Sequence, residues 1–287
     1  ALKNFNKCYD VQLKINEKPG QGETLNAIGY VYEDLGDIKK ALYHYHRSIK
    51  ICEETQNLES AVTTLMNLGM LYKDQNDIEQ AIEYTQKSMD IAIKIEDVYS
   101  LGIILNNFGT IYTDAQDYKK AIKFYRQSIL KRKKVEDYKG LGYSLSGVAY
   151  CENKISKIEK EAGNISLSDS LLKSSLNNYL ESLKIRVEIG DKNGEVQSLH
   201  YLGKYYFELD NLEKAERYYN KSLQLAEQLG YPSLIKRSAK LLFELEKSRG
   251  NYEKALIMRD LEILMKDSVE NESNLRASLK QQSKYEY

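Results

Sequence analysis

Several residue types are scarce: among 287 residues the sequence has no tryptophan, two prolines, three cysteines and three histidines. Cysteine and histidine are common metal ligands, and cysteine also forms disulfides. Cys8, Cys52 and Cys151 are odd in number, far apart and without a CxxC pair, so we interpret them as small, unpaired apolar side chains. His44 and His46 are two residues apart, which places them on different faces of a helix. The composition therefore predicts no metal site and no cofactor.

Net charge is also missing, because 42 basic residues balance 42 acidic ones. Duplex binding favours a basic face, so nucleic acid is not an expected partner. No run approaches the roughly 18 apolar residues of a membrane span, so we expect no direct membrane insertion of this segment. The chain begins with Ala1, so the lack of a signal peptide there excludes no compartment, and both periplasm and cytoplasm stay open.

What the sequence does contain is a repeat. Leu105 to Ser128 reads LNNFGTIYTDAQDYKKAIKFYRQS, and forty residues earlier Leu65 to Ser88 reads LMNLGMLYKDQNDIEQAIEYTQKS. Another forty residues earlier, Leu25 to Ser48 reads LNAIGYVYEDLGDIKKALYHYHRS. Self-similarity at a period of this size predicts a solenoid of stacked helical hairpins.

Each repeat has a glycine in its first helix, flanked by an apolar residue four before it and a tyrosine three after it. The anchors are Gly29, Gly69, Gly109, Gly147 and Gly203. These offsets lie on one helix face. A glycine inside a helix costs about 1 kcal/mol relative to alanine, so its recurrence predicts close approach of a neighbouring helix.

The second helix of each repeat has small residues seven apart, with an aromatic residue between them. They are Ala41 with Ser48, Ala81 with Ser88, Ala121 with Ser128, and Ala215 with Ser222. The turns between the two helices contain residues that tolerate a left-handed conformation, Gly36, Asn76 and Gly250. N-cap residues follow them, at Asp37, Asp77, Asp117, Asn211 and Asn251.

These motifs resemble the tetratricopeptide repeat (TPR), in the order leucine-glycine, tyrosine, alanine and aromatic. The resemblance covers nearly the whole chain. It departs from the family pattern in its period of forty rather than thirty-four residues and in lacking the proline near the end of the second helix. It implies an all-α fold, a right-handed α-solenoid of antiparallel helix hairpins, that binds other proteins and is not an enzyme.

The spacing divides the chain into eight segments. Residues 1–17 are the second helix of a truncated repeat; 18–57, 58–97 and 98–137 are regular repeats; 138–190 is a repeat with an insertion of about 16 residues; 191–230 is another repeat; 231–266 is a degenerate capping repeat; and 267–287 is a C-terminal helix, which could begin a coiled-coil linker. The insertion has two interpretations: two lengthened helices that meet near Gly163 and Asn164, or a disordered surface segment.

The C-terminal segment has a resemblance of its own. Met265 to Ser268, MKDS, and Gln281 to Glu286, QQSKYE, resemble bacterial TPR-fused signalling proteins. In that class, the array precedes a coiled-coil linker, a membrane span and a histidine-kinase or other output module. Asp267 and Glu270 could form a capping box that restarts a helix. A homodimer through this helix is the alternative to a module that binds a ligand.

No motif for catalysis is present: the sequence has no GxGxxG, P-loop, GxSxG or HExxH. The TPR resemblance instead implies that the first helices line a concave groove for a peptide or protein segment. The predicted groove residues are Asn26, Tyr30, Asp34, Asn67, Met70, Lys73, Asp74, Asn106, Asn107, Thr110, Asp114, His200 and Lys204.

Two features of this set suggest how it would bind. Asparagine offers both a donor and an acceptor, so the four asparagines could pair with the backbone of an extended peptide, unless they pair with each other. Acidic residues recur near the ends of the first helices, at Asp34, Asp74, Asp114, Glu152 and Glu208. Either lysines of the following helices neutralise them, or the groove favours a basic ligand.

Overall fold

The computed structural model describes the backbone of residues 1–285 and the side chains of residues 1–271. Over these residues the chain is helical and has no strand. The helices are α1 (Leu2–Lys14), α2 (Lys18–Asp34), α3 (Ile38–Thr55), α4 (Leu58–Asp74), α5 (Ile78–Lys94), α6 (Val98–Asp114), α7 (Tyr118–Lys134), α8 (Tyr138–Glu161), α9 (Ile165–Glu188), α10 (Lys192–Glu208), α11 (Leu212–Leu229), α12 (Pro232–Ser248) and α13 (Tyr252–Tyr285).

The helices form two compact units, Ala1–Asp137 and Tyr138–Tyr287. In the first unit, α2 packs on α3, α4 on α5 and α6 on α7, and α3 also contacts α4 as α5 contacts α6. The first helices contact one another, α2 with α4 and α4 with α6, whereas the described residues show no contact between α3 and α5 or between α5 and α7. The first unit therefore curves toward its first helices, which form its inner side.

The second unit follows the same rule. α8 pairs with α9, α10 with α11 and α12 with α13. Here too the first helices meet, α8 with α10 and α10 with α12. These hairpin contacts confirm the predicted all-α helical-repeat fold.

The turns inside the hairpins have the predicted local structure. Gly36, Asn76 and Gln116 have φ angles of 71°, 60° and 60°, so each is left-handed. The Asp37 and Asp77 side chains then accept hydrogen bonds from the backbone three residues on, as N-caps do. The turn is therefore encoded by the cap even where, as at Gln116, no glycine supplies the left-handed residue.

Three of the recurring glycines, Gly29, Gly109 and Gly203, give space to a tyrosine of the second helix, and Gly69 gives space to Thr85. A Cβ added to Gly29 would lie 2.7 Å from the ring of Tyr45, and one added to Gly109 would lie 2.6 Å from the ring of Tyr125. Carbon atoms do not approach this closely without displacement. The predicted close approach of a neighbouring helix is confirmed, and that helix belongs to the same hairpin.

The fourth repeat requires a correction. Gly147, the predicted anchor, is only partly buried, whereas Ala149 is fully buried and lies forty residues after Gly109. The Ser175 hydroxyl donates to the Ala149 carbonyl at 2.8 Å. Ala149 therefore occupies the anchor position, and the prediction was wrong by two residues because a glycine stands nearby.

The insertion in this repeat is helical. α8 and α9 have 24 residues each, compared with 17 in α6 and in α7. Gly163 has a φ of 85° in the turn that joins them. Near this end, the buried hydroxyls of Ser156 and Ser168 lie 3.0 Å apart. The interpretation as two lengthened helices is confirmed, and the disordered segment is wrong.

The chain ends differ from the regular hairpins. α1 packs against α2, and its Leu2, Phe5 and Tyr9 contact the core of the first hairpin. α13 runs without a break from Tyr252 to Tyr285, so the predicted helix restart at Asp267 is wrong. The side chains of Gln281 to Glu286, on which the signalling resemblance partly depends, lie outside the described residues.

Candidate protein-binding surface

Eleven of the thirteen predicted groove residues lie on α2, α4 and α6, the three first helices of the first unit. We call this set the inner surface: Asn26, Tyr30, Asp34, Asn67, Met70, Lys73, Asp74, Asn106, Asn107, Thr110 and Asp114. All eleven are at least partly exposed to solvent. The remaining two, His200 and Lys204, lie on α10 in the second unit.

Some of the hydrogen-bonding groups of the asparagines form hydrogen bonds within the protein. The Asn67 Nδ2 amide donates to Asn26 Oδ1 at 3.0 Å, which links α4 to α2. This pairing was the alternative to a peptide-binding ladder, and it holds for these two residues. Each amide keeps hydrogen-bonding capacity, since an asparagine side chain offers two donors and an acceptor with two lone pairs. Asn107 is partly buried and its side chain makes no hydrogen bond to the described residues.

A row of three residues, one from each first helix, crosses the asparagines. Tyr30, Met70 and Thr110 occupy the same position in successive repeats, and the Tyr30 side chain is 61% exposed. The Thr110 hydroxyl donates to the Asn106 carbonyl at 3.2 Å and lies 3.3 Å from the Tyr125 hydroxyl. The row therefore offers a free aromatic ring at one end and a fixed hydroxyl at the other.

The acidic residues of the inner surface are only partly neutralised. Lys73 Nζ lies 2.6 Å from Asp74 Oδ1 and 3.6 Å from Asp114 Oδ2, and the second contact links α4 to α6. Lys40 and Lys120, which begin the following helices, instead lie over the rings of Tyr32 and Tyr112, at 4.8 and 5.2 Å. Asp74 and Asp114 thus share one ammonium, so these three side chains carry a net negative charge.

A partly buried carboxyl, that of Glu33, lies just behind this surface. The Tyr45 hydroxyl donates to Glu33 Oε2 at 2.6 Å, and burial raises the pKa of the Glu33 carboxyl above its usual value. Burial and the Glu33 contact also raise the pKa of the Tyr45 hydroxyl. This bond holds the tyrosine ring across Gly29, so it fixes the hairpin that positions Tyr30.

In the second unit, the prediction that His200 lines the groove is wrong. Its side chain is 2% exposed, and its Nε2 lies 2.7 Å from the Ser238 hydroxyl of α12. Burial lowers the pKa of the imidazole to about 3, so the ring stays neutral near pH 7. His200 therefore joins α10 to α12 and is not accessible to a ligand, whereas Lys204 is exposed.

The register of the fourth repeat also changes the acidic row. Glu152 is 1% exposed and accepts from Asn178 Nδ2 at 2.9 Å, so it is not a surface residue. Its predicted place, five residues after the anchor, belongs to Lys154. The sequence reasoning missed Asn153 and Lys157, which contact Glu208 at 2.8 Å each and link α8 to α10.

The described residues lack both a metal-binding cluster and a membrane-spanning helix. No group of three or more histidine, cysteine, aspartate or glutamate side chains is arranged to hold a metal ion there. None of the described helices combines the length and the apolar character that crossing a bilayer requires.

Comparison with known families identifies the repeat. Tetratricopeptide repeat models match residues 22–55, 60–130 and 158–228. The chain belongs to the tetratricopeptide repeat family. No curated protein matches it.

Solved structures with the same fold include two Rap proteins and a protein with a tetratricopeptide repeat sensor. The apo form of RapI matches with a TM-score of 0.70 and 14% identity, over 94% of this chain and 92% of that one. The tetratricopeptide repeat sensor of a signal transduction ATPase (STAND) from Pyrococcus horikoshii matches with a TM-score of 0.65 and 16% identity, over 90% of this chain and 39% of that one. A Rap protein bound to competence and sporulation factor matches with a TM-score of 0.55 and 14% identity, over 94% and 86%. At such identities the likeness shows the fold.

Proposed function

We propose that the inner surface of the first unit binds an extended segment of another protein. The family and fold make this chain a protein-interaction module. The observation that carries the finer proposal is the Tyr30 ring, which is 61% exposed and lies on the same surface as Asn26 and Asn67, whose amides keep unused donors and acceptors. Exposed aromatic rings beside polar groups are typical of protein-binding sites.

The chemistry of the inner surface favours a particular kind of segment. Amide side chains pair with the peptide backbone and therefore tolerate many sequences. The carboxylates Asp34, Asp74 and Asp114 favour a segment that carries lysine or arginine. We infer a ligand with an apolar side chain for Tyr30 and basic side chains near the helix ends.

The same module would serve as the sensing or scaffolding part of a larger bacterial signalling protein. Support comes from the STAND protein, whose repeats are described as its sensor, and from the Rap protein bound to competence and sporulation factor. The histidine-kinase output module stays a prediction from the MKDS and QQSKYE motifs.

The test uses peptides selected from a displayed library of random 12-residue segments against the full chain. Affinity of the selected peptides is measured by calorimetry for the wild type, for Asn67→Ala with Asn107→Ala, and for Tyr30→Ala. We expect each variant to weaken binding by about tenfold or more, since one lost hydrogen bond or ring contact contributes roughly 1–2 kcal/mol. Asn220→Ala, an exposed asparagine on α11, is the matched control.

Unchanged affinity in the asparagine variant would remove these side chains from the site. Peptides that bind equally well to the Tyr30→Ala variant would place the binding surface elsewhere on the chain. Selected peptides without basic residues would contradict the electrostatic part of the proposal.

A second candidate function is assembly with another copy of the chain through α13. Leu256, Ile257, Ile263 and Leu264 are 45–62% exposed, and they form two pairs seven residues apart, so they lie on one face. Light scattering tests it: a dimer that Leu256→Glu with Ile263→Glu converts to a monomer would support assembly. A monomer at high protein concentration would exclude it.

A further inference from the structure

A small basic pocket lies between α10 and α11, in the second unit and away from the inner surface. It has a volume of about 210 Å³ and is lined by Tyr206, Lys214, Arg217, Tyr218 and Lys221. The four α11 residues are spaced i, i+3, i+4 and i+7, which places them on one helix face. The lining contains three cations and no carboxylate.

The two tyrosines form a rigid wall of this pocket. The rings of Tyr206 and Tyr218 are stacked, with centroids 5.6 Å apart and an angle of 4° between their planes. Lys214 Nζ lies 4.9 Å from the centre of the Tyr206 ring. The stack holds the hairpin ends together and keeps the pocket open without a ligand.

The cations of the pocket are unpaired. Lys214, Arg217 and Lys221 are exposed, and none of them forms an ion pair with the described residues. Three positive charges that converge on one concave site repel one another, and an anion relieves that repulsion. The pocket is therefore an arrangement that a polyvalent anion would stabilise.

Other hairpins of the chain show that the fold does not require this charge pattern. At the corresponding positions α6 and α7 have Tyr112, Lys120, Lys123, Phe124 and Gln127. Tyr112 and Phe124 stack in the same way, with centroids 5.3 Å apart and an angle of 4°. Lys120 pairs with Asp117 at 3.2 Å, so that site is less basic although its scaffold is the same.

In the α4–α5 hairpin, the corresponding face of the second helix carries no net charge. The Tyr72 and Tyr84 rings of this hairpin stack 5.2 Å apart. The α5 face then carries Gln80, Glu83 and Lys87, and Glu83 Oε1 pairs with Lys87 Nζ at 2.7 Å. The stacked rings thus belong to the repeat, whereas the three unpaired cations belong to the α10–α11 hairpin.

We propose that this pocket binds a phosphate monoester group. A phosphate monoester carries a charge of about −1.5 to −2 near pH 7 and three strong acceptor oxygens. Arginine matches such a group with two parallel hydrogen bonds, and lysine adds a point charge. The volume is below the roughly 300 Å³ of sites for whole drug-sized ligands, so the pocket fits the group and not a complete cofactor.

The experiment is calorimetric titration of the full chain at constant ionic strength. The probes are inorganic phosphate, phenyl phosphate, an acetylated glycine–phosphoserine–glycine amide, and acetate as a monovalent anion. We expect saturable binding of the phosphate-bearing probes, weakened about tenfold by Arg217→Gln. We expect no binding by the triple variant, in which Lys214→Gln and Lys221→Gln are added to Arg217→Gln. These side chains are exposed, and circular dichroism checks that the variants stay folded.

The matched control is Lys120→Gln with Lys123→Gln, which removes two lysines from the α6–α7 hairpin and is expected to leave affinity unchanged. A phosphoserine peptide that binds more tightly than phosphate identifies a phosphorylated segment as the source, and equal affinities identify a small phosphate compound; both support the site. No saturable binding, equal losses in the control, or acetate binding as tight as phosphate would overturn it. None of these variants touches the inner surface, so the two proposals fail separately.

Discussion

The Asn67 Nδ2 amide donates to Asn26 Oδ1 at 3.0 Å and so joins two first helices that are neighbours in the stack. The bond lies on the inner surface, where a ligand would also compete for these amides. A residue of this kind has two roles that mutagenesis must separate: it stabilises the unit, and it presents hydrogen-bonding groups to a partner.

A double-mutant cycle separates these roles. We expect Asn26→Ala and Asn67→Ala each to lower the free energy of unfolding by about 1 kcal/mol, because each removes the same partly buried hydrogen bond. The double variant should lose little more than either single one, with a coupling energy of about 0.5–1.5 kcal/mol. Urea unfolding of the wild type, the two single variants and the double variant measures these free energies.

Asn107→Ala is the control in this cycle, since the side chain of Asn107 has no hydrogen bond to the described residues. Its substitution should change stability by less than about 0.5 kcal/mol. Additive losses from Asn26→Ala and Asn67→Ala would mean that the bond between them does not form in solution.

Gly109→Ala tests the packing of the hairpin. The added Cβ would lie 2.6 Å from two ring carbons of Tyr125, in a core that cannot expand freely. Overpacking costs about 1–3 kcal/mol, which exceeds the roughly 1 kcal/mol that alanine gains in helix propensity. We therefore expect a lower melting temperature, measured by calorimetry.

The reverse change at the corresponding position of the fourth repeat gives the comparison. Ala149→Gly introduces the residue that the other repeats have, yet it should also destabilise the protein, by about 1 kcal/mol, because a fully buried methyl group and helix propensity are lost. A stabilising Gly109→Ala would show that the ring of Tyr125 moves aside at no cost.

Residue spacing predicted the hairpins well because the determinants are local. The left-handed turn at Gly36, the N-cap at Asp37 and the glycine beneath Tyr45 all act within one hairpin. The same local logic correctly extended α8 and α9 and placed their turn at Gly163.

Features that depend on how the repeats stack, or on a departure from the repeat pattern, could not be predicted from the spacing of residues. His200 is buried because Ser238 faces it from α12, a helix whose repeat signature is degenerate. The register of the fourth repeat was hidden because alanine replaces glycine at position 149 while Gly147 lies two residues away. The pairing of Asn26 with Asn67 depends on the distance between stacked helices, which the period alone does not fix.

The buried serines of the second helices offer a third prediction. Ser88 Oγ donates to the Val62 carbonyl at 2.9 Å, and Ser128 Oγ donates to the Gly102 carbonyl at 2.6 Å. Ser128 also accepts from Arg132 Nε at 3.1 Å. Arg132 is 6% exposed, so its guanidinium finds no water to replace a lost partner.

Ser88→Ala should therefore cost about 1 kcal/mol, the value of one neutral hydrogen bond. Ser128→Ala should cost about 1.5–3 kcal/mol more, because it also leaves a charged donor without that acceptor. Alanine propensity is the same at both sites, so helix propensity does not contribute to the difference. Equal losses in denaturant unfolding would show that the Arg132–Asp137 ion pair alone satisfies the guanidinium.

His200 makes stability depend on pH. Its pKa is lowered to about 3 in the folded chain by burial, whereas an unfolded histidine titrates near 6.5. The unfolded state therefore binds a proton first as pH falls, so stability is present above about pH 6.5 and is lost progressively between there and about pH 3. From pH 7 to pH 5 this histidine should remove about 2 kcal/mol from the free energy of unfolding.

The variant His200→Gln tests this pH dependence. It keeps a side chain that can form a hydrogen bond with Ser238 but does not titrate, so its stability should fall less over the same range. Asn220→Gln, at an exposed site without a titrating group, is the control with the wild-type slope. Urea unfolding of the three proteins at both pH values measures the effect, and identical slopes for His200→Gln and the wild type would contradict a neutral, buried imidazole.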